Sequence, residues 1–204
     1  MRALVGYENA LGLQHISTLH TAQVLGKLYL DRCDTLRRSQ IRHTLPYRSS
    51  FNKPHPLRKH IINLSLLCDR FTLLRALLFG YLGRVLLWSS DEMNASIAFE
   101  QQMVTACSNS SFPFCDGCKN QLNIHMKRYI CRSCEDIDLC EECYQNYQVD
   151  GIIVSQSQKT CHDHSYFALS WAERSEKSPG TVSLDSTSSR LWLKELANSQ
   201  APLE

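Results

Sequence analysis

Apolar residues recur at helical spacing over the first stretch of the chain. In "RALVGYENALG" they fall at Leu4, Val5, Tyr7 and Leu11, and Gly12 marks a stop. "STLHTAQVLGKLYLDR" follows, with Ser17 or Thr18 as N-cap and an apolar face of Leu19, Ala22, Leu25, Leu28 and Tyr29. The pattern predicts a helix pair over residues 1–31. Over 32–60 it fades into a basic stretch with Pro46, Pro54 and Pro56, which reads as a linker. Periodicity returns in "HIINLSLLCDRFTLLRALLFGYLGRVLLW", one long or broken helix. Ser89 and Glu92 then form a capping-box pattern before "MNASIAFEQQMV", so residues 61–109 are predicted to form a helical hairpin. Arg75 and Arg84 interrupt the apolar run Phe71–Trp88, which argues for a packed helix and against a membrane span.

The pattern changes character at residue 112. Up to residue 167 the chain is dense in cysteine and short in helical periodicity. Residues 168–204 open with the Ser-rich "SEKSPGTVSLDSTSS" and end in the amphipathic "RLWLKELA". A helix this short is marginal alone, so Trp192 and Leu196 are predicted to dock back on the cysteine-rich segment, with a partner as the alternative.

Charge separates the same regions. Residues 1–110 carry 13 Lys/Arg against 7 Asp/Glu, whereas residues 111–167 carry 5 against 8. An acidic cysteine-rich segment disfavours nucleic acid as partner. The basic 32–60 stretch interleaves no aromatic platform and reads as solvated. No secretory pattern is legible in "MRALVGYENALG". Ten cysteines in that context are expected to be reduced and used for metal, in the cytoplasm or nucleus.

Spacing makes the metal reading specific. Cys115-x2-Cys118 is followed after 12 residues by Cys131-x2-Cys134, and after 5 more by Cys140-x2-Cys143. After a further 18 comes His162, with His164 beyond it. Three pairs are one and a half tetrahedral sites, and His-x-His supplies the missing half. On an extended strand i and i+2 share a face, and "HDHSYFALSW" is a credible strand. Eight ligands make two closed sites of the structural type, hence two Zn²⁺. Spacing leaves open whether the pairs combine in sequence or interleaved.

Two resemblances refine this picture. "RALVGYENALG", "HISTL" and "LGKLY" resemble tetratricopeptide repeats of the kinesin-light-chain type, and Leu82-Gly83, Ala95 and Phe99 fall at that signature's offsets. Such hairpins stack, so the chain reads as part of a longer repeat protein, the alternative being an irregular helical bundle. "CDGC", "RYICRSCEDIDLCEECY" and "HDHSYF" resemble the ZZ-type zinc finger over residues 112–167. That resemblance implies a cross-brace: zinc one on Cys115, Cys118, Cys140 and Cys143, zinc two on Cys131, Cys134, His162 and His164. It also implies a small antiparallel sheet with a short helix after the last cysteine pair. The sequence departs from the family at Met126, where a glycine is usual, at Ile137, where a tyrosine is usual, and in a long loop from Tyr144 to Thr160. That loop makes Cys161 an alternative ligand to His162. His125 reads as an exposed ring.

The expected fold class is therefore mixed: α-helical tetratricopeptide-like hairpins plus a zinc-stabilised cross-brace module. No nucleophile triad, phosphate loop or open metal position is legible, so the reading is non-enzymatic. Asp116, Asp136 and Asp138 surround the first cysteine set. Carboxylates beside a four-thiolate zinc favour a cation, and the family resemblance implies a peptide with a free N-terminus at these positions. The expected role is an adaptor that binds a protein or peptide, with no membrane or nucleic-acid partner. The alternatives are a purely structural zinc module and a RING-like component of a ubiquitin ligase.

Overall fold

The computed structural model describes residues 15–43, 56–67, 72–107, 113–150, 152–154, 160–162, 164–170 and 186–198, with Gly6, Ala10 and Leu11. The described elements are α1 (Ile16–His43), α2 (Pro56–Leu67), α3 (Thr72–Trp88), α4 (Glu92–Cys107), β1 (Arg128–Cys131), β2 (Asp138–Cys140), α5 (Glu141–Asp150), β3 (Ile152–Val154), β4 (Thr160–His162), β5 (Tyr166–Leu169) and α6 (Ser186–Asn198). The chain divides into two compact units: residues 1–105 with 182–204, and residues 106–181. Most of the first predicted helix lies outside the described residues.

The first unit is helical. Its centre is α3, which buries Leu74, Ala76, Leu78, Leu82, Arg84, Leu86, Leu87 and Trp88 and so hides residues all round its circumference. Helices α1 and α2 pack on it and on each other. Close approach is built in by glycine: a Cβ on Gly26 would stand 2.8 Å from the Leu78 side chain, and one on Gly83 would stand 2.6 Å from the Phe99 ring. The two arginines of the apolar run are buried rather than solvated. Arg75 lies over Phe79 at 5.3 Å and Arg84 over Phe99 at 5.9 Å. Among the described residues no helix is long and apolar enough to cross a membrane.

Two local expectations are corrected here, and the long or broken helix takes its broken form. Helix α1 does not end near Asp31 but continues to His43, so the first part of the expected 32–60 linker is helical. The i,i+4 ion pairs Lys27–Asp31 and Arg38–Asp34 carry it through the polar stretch. The long apolar segment is two helices, α2 and α3. The cap of α4 is Asp91, not Ser89: its Oδ1 accepts the Asn94 N–H at 3.3 Å and its carbonyl the Ala95 N–H at 2.9 Å. Ser89 instead bonds back to the Val85 carbonyl, and Ser90, at φ 60°, turns the chain.

The C-terminal helix belongs to this unit. Ser189, Trp192, Leu193 and Leu196 are its buried stripe. The Trp192 indole N–H donates to Asn94 Oδ1 at 2.9 Å, its ring meets Phe79, and Arg75 donates to the Ser189 hydroxyl. Trp192 and Leu196 therefore dock on the helical unit, not on the cysteine-rich segment.

The second unit is a three-stranded antiparallel sheet of order β2-β1-β5, with α5 following β2 and a separate β3-β4 ribbon. Its core is small. Leu122, Ile137, Leu139, Tyr129 and Tyr147 pack among the cysteines themselves. A core of that size gains too little from apolar burial to fold unaided, so metal binding and folding are one event here.

Candidate metal centres

The first cysteine pair sits on a tight loop. Phe114 and Gln121 bridge across it, the Cys115 N–H donates to the Asn120 carbonyl, and the Lys119 N–H donates to the Cys115 carbonyl, both at 2.8 Å. Lys119 takes a left-handed φ of 63°. Gly117 is required by space: a Cβ there would lie 2.6 Å from Cys143 Sγ. That proximity shows the pairing directly. The first pair meets the third, which stands at the end of β2 and the start of α5.

Cys115, Cys118, Cys140 and Cys143 form one four-donor group. Cys140 Sγ lies 3.7 Å from Cys115 Sγ and 3.9 Å from Cys118 Sγ. A tetrahedral ion with Zn–S bonds of about 2.3 Å holds its sulfurs about 3.8 Å apart. The second group is Cys131, Cys134, Cys161 and His164. His164 Nδ1 lies 3.5, 3.4 and 3.3 Å from the sulfurs of Cys131, Cys134 and Cys161, and Cys131 lies 3.6 Å from Cys161. The tetrahedral value for sulfur and imidazole nitrogen is about 3.5 Å. Both groups fit a zinc ion, and together they fit two. Among the described residues each group offers four donors, the number a structural zinc site uses.

The second group differs from the expected set at one position. Cys161 stands where His162 was expected. The cause is strand alternation. On β4 the side chains of Cys161 and His162 point to opposite faces, so Cys161 is fully buried while His162 is exposed. The expected continuous strand is two strands, β4 ending at His162 and β5 starting at Tyr166, and His164 lies between them. The two histidine rings lie 6.2 Å apart. His125 is exposed, beside a turn in which Asn123 Oδ1 accepts its N–H at 2.9 Å.

Each group shows the strain of crowded thiols. Hydrogen bonds from Cys134 and Cys161 bring the Cys131 thiol down to about 2, while the same contacts push Cys134 up and Cys131 pushes Cys161 up to about 11. In the first group the Asn120 N–H lowers Cys118, and burial raises Cys115 and Cys143. Donors this close cannot all be anions unless a cation lies among them. Backbone N–H groups also point at the sulfurs: Cys134 and Ser133 donate to Cys131 Sγ, and Cys140 donates to Cys115 Sγ.

The aspartates are anchored more firmly than a solvated acidic patch. Asp116 Oδ2 accepts the Asp138 N–H at 2.9 Å, and the Asp116 N–H donates to the Asp138 carbonyl at 2.8 Å. These reciprocal bonds tie the first cysteine loop to β2. Asp138 Oδ2 is ion-paired with Arg128 at 2.8 Å, both side chains buried. Lys119 Nζ approaches Asp116 Oδ1 at 3.9 Å. Asp136 is half-buried on the turn that leads into β2.

Sequence reading missed the tyrosines. Tyr129 stacks on Tyr144 at 3.9 Å, and Tyr166 meets Tyr144 and Tyr147 edge-on. Tyr147 Oη accepts the His164 N–H at 2.9 Å, and Tyr166 Oη lies 3.3 Å from Cys161 Sγ. Burial first, then Cys161, pushes the Tyr166 phenol up, so it keeps its proton. The signal was present in the letters: four tyrosines in and around a cysteine cluster of this size.

Comparison with known families agrees with this geometry over part of the chain. The family model "Zinc finger, ZZ type" matches residues 113–151. The match covers the three Cys-x-x-Cys pairs and stops short of Cys161 and His164. No curated protein and no solved structure matches the chain.

Proposed function

We propose that the second unit is a non-enzymatic, zinc-dependent protein-interaction module that takes the free N-terminus of a peptide on the face carrying Asp116, Asp136 and Asp138. One observation carries this reading: Asp116 and Asp138 are both buried beside a four-cysteine zinc group, the Asp116 carboxylate bonded to the Asp138 backbone N–H. Zinc with four thiolates is formally anionic, so the two effects add and favour an ammonium group with several donors. The approach of the Lys119 ammonium to Asp116 follows the same field. The helical unit is proposed to be a tetratricopeptide-type scaffold, on the close approaches at Gly26 and Gly83. Such a pairing of modules suits an intracellular adaptor.

The competing reading is a purely structural zinc module. The Arg128–Asp138 ion pair and the Asp116 backbone bond favour it, because both consume carboxylate capacity within the fold. Peptides with free and acetylated N-termini, offered to the zinc-loaded full chain, separate the two. Preference for the free amine, weakened by Asp136→Asn with zinc content unchanged, supports recognition; equal binding of both peptides defeats it. Asp138→Asn is the poorer probe, since it also removes the partner of Arg128. Ubiquitin transfer with a conjugating enzyme would point instead to a ligase component.

A further inference from the structure

We propose that Tyr166 and Tyr147 are positioning residues of the second zinc group, which hold the two ligands supplied from beyond α5 and β3. These ligands, Cys161 and His164, enter after a segment that joins α5 to β4, and each meets one phenol. Tyr147, on α5, both accepts the His164 N–H at 2.9 Å and donates to the His164 carbonyl at 3.3 Å, so it clamps that residue's backbone. Tyr166, on β5, lies with Oη 3.3 Å from Cys161 Sγ. A zinc-bound sulfur is a thiolate and can only accept, so the phenol O–H donates. The two rings meet edge-on with centroids 5.0 Å apart, which locks the pair into one unit.

Charge gives the Tyr166 bond its purpose. Cys161 in place of an imidazole adds one negative charge to the group. Three thiolates and an imidazole around Zn²⁺ are formally anionic, whereas two and two are neutral. The site is also buried: Cys131 and Cys161 are fully hidden. A phenol O–H directed at the extra thiolate draws off part of that charge without a competing positive side chain. Partners that orient and polarise a metal ligand commonly matter tenfold to a hundredfold in metal affinity. Tyr129 serves as the internal control: it belongs to the same ring cluster, but its hydroxyl faces Glu141 at 3.5 Å rather than a ligand.

The test uses the full chain, loaded with zinc or cobalt, as Tyr166→Phe, Tyr147→Phe and Tyr129→Phe. Chelator competition should show the three-cysteine, one-histidine group of Tyr166→Phe weakened about tenfold or more, with the four-cysteine group unchanged. In the cobalt form its sulfur-to-metal charge-transfer band should move to lower energy, because the thiolate has lost a hydrogen bond. Tyr147→Phe should speed metal loss from the same group and leave the band where it is. Tyr129→Phe should do neither. The proposal is overturned if Tyr166→Phe matches Tyr129→Phe in affinity and band position, or if it weakens both groups alike. Tyr147→Phe decides separately: unchanged metal loss from the second group removes its role.

Discussion

The two metal groups of one small unit are built on opposite plans. The first draws all four sulfurs from Cys115–Cys143, and Cys118 is exposed. The second must recruit half its ligands from beyond the loop, none of its four donors is exposed, and tyrosine hydroxyls meet both late ligands. The first is shaped by its own backbone: a glycine where no Cβ fits, a left-handed Lys119, and N–H groups directed into the loop. The second is shaped by side chains packed from α5 and β5. Local ligands can be held by local turns. Distant ligands need contacts from further elements: β3 pairs with β4 opposite Cys161, and tyrosines from α5 and β5 meet the two late ligands.

Ligand identity is the sharpest way to break that comparison. Cys161→Ser should cut zinc stoichiometry from two to one and unfold the sheet around the second group, whereas His162→Ala should keep two zinc ions; metal analysis of both proteins decides it. Next in size is Asp116→Ala, which strands the Asp138 N–H and should cost about 1–3 kcal/mol. In a denaturant series it should loosen the first group and spare the second. A limited dose of alkylating reagent should mark Cys118 before any thiol of the second group, read by peptide mass spectrometry, since Cys118 alone of the eight liganding residues is exposed.

The smallest effect concerns pH. Burial raises Cys115 and Cys143, so these thiols hold protons at neutral pH and zinc must displace them. The sign is therefore fixed: zinc affinity falls as pH falls. The second group has one thiol fewer and its Cys131 is already held down, so chelator competition across pH should show the steeper slope at the first. Equal slopes would sink the assignment of an imidazole to the second group.

The cysteine pairs were legible because their spacing is a covalent fact and zinc accepts few geometries. The resemblance to the ZZ type carried the interleaved pairing, and the space around Gly117 agrees with it. The helices over Thr72–Trp88 and Glu92–Cys107 were legible from periodicity. Helix α1 ran past its expected end because ion pairs four residues apart stabilised a polar stretch that apolar periodicity does not register. The cap passed from Ser89 to Asp91 because Ser89 was already bonded back to Val85, a choice made by the backbone path. Tetratricopeptide stacking remains a proposal; the structure shows close helix packing at Gly26 and Gly83 without specifying that repeat.

By itself the sequence determined that this chain holds two zinc ions, that six cysteines take part, and that acidic residues stand among them. Only the tertiary structure decided which residue beside His164 completes the second group. Cys161, His162 and His164 are all competent donors, and sequence spacing cannot rank them. The direction of a strand can: it turned Cys161 inward and His162 outward, and His164, between β4 and β5, completes the group. The same holds for Trp192, whose stripe announced a docking helix but not its seat. Chemistry is written in residue types, whereas the choice among equivalent donors and faces depends on which way the backbone points them.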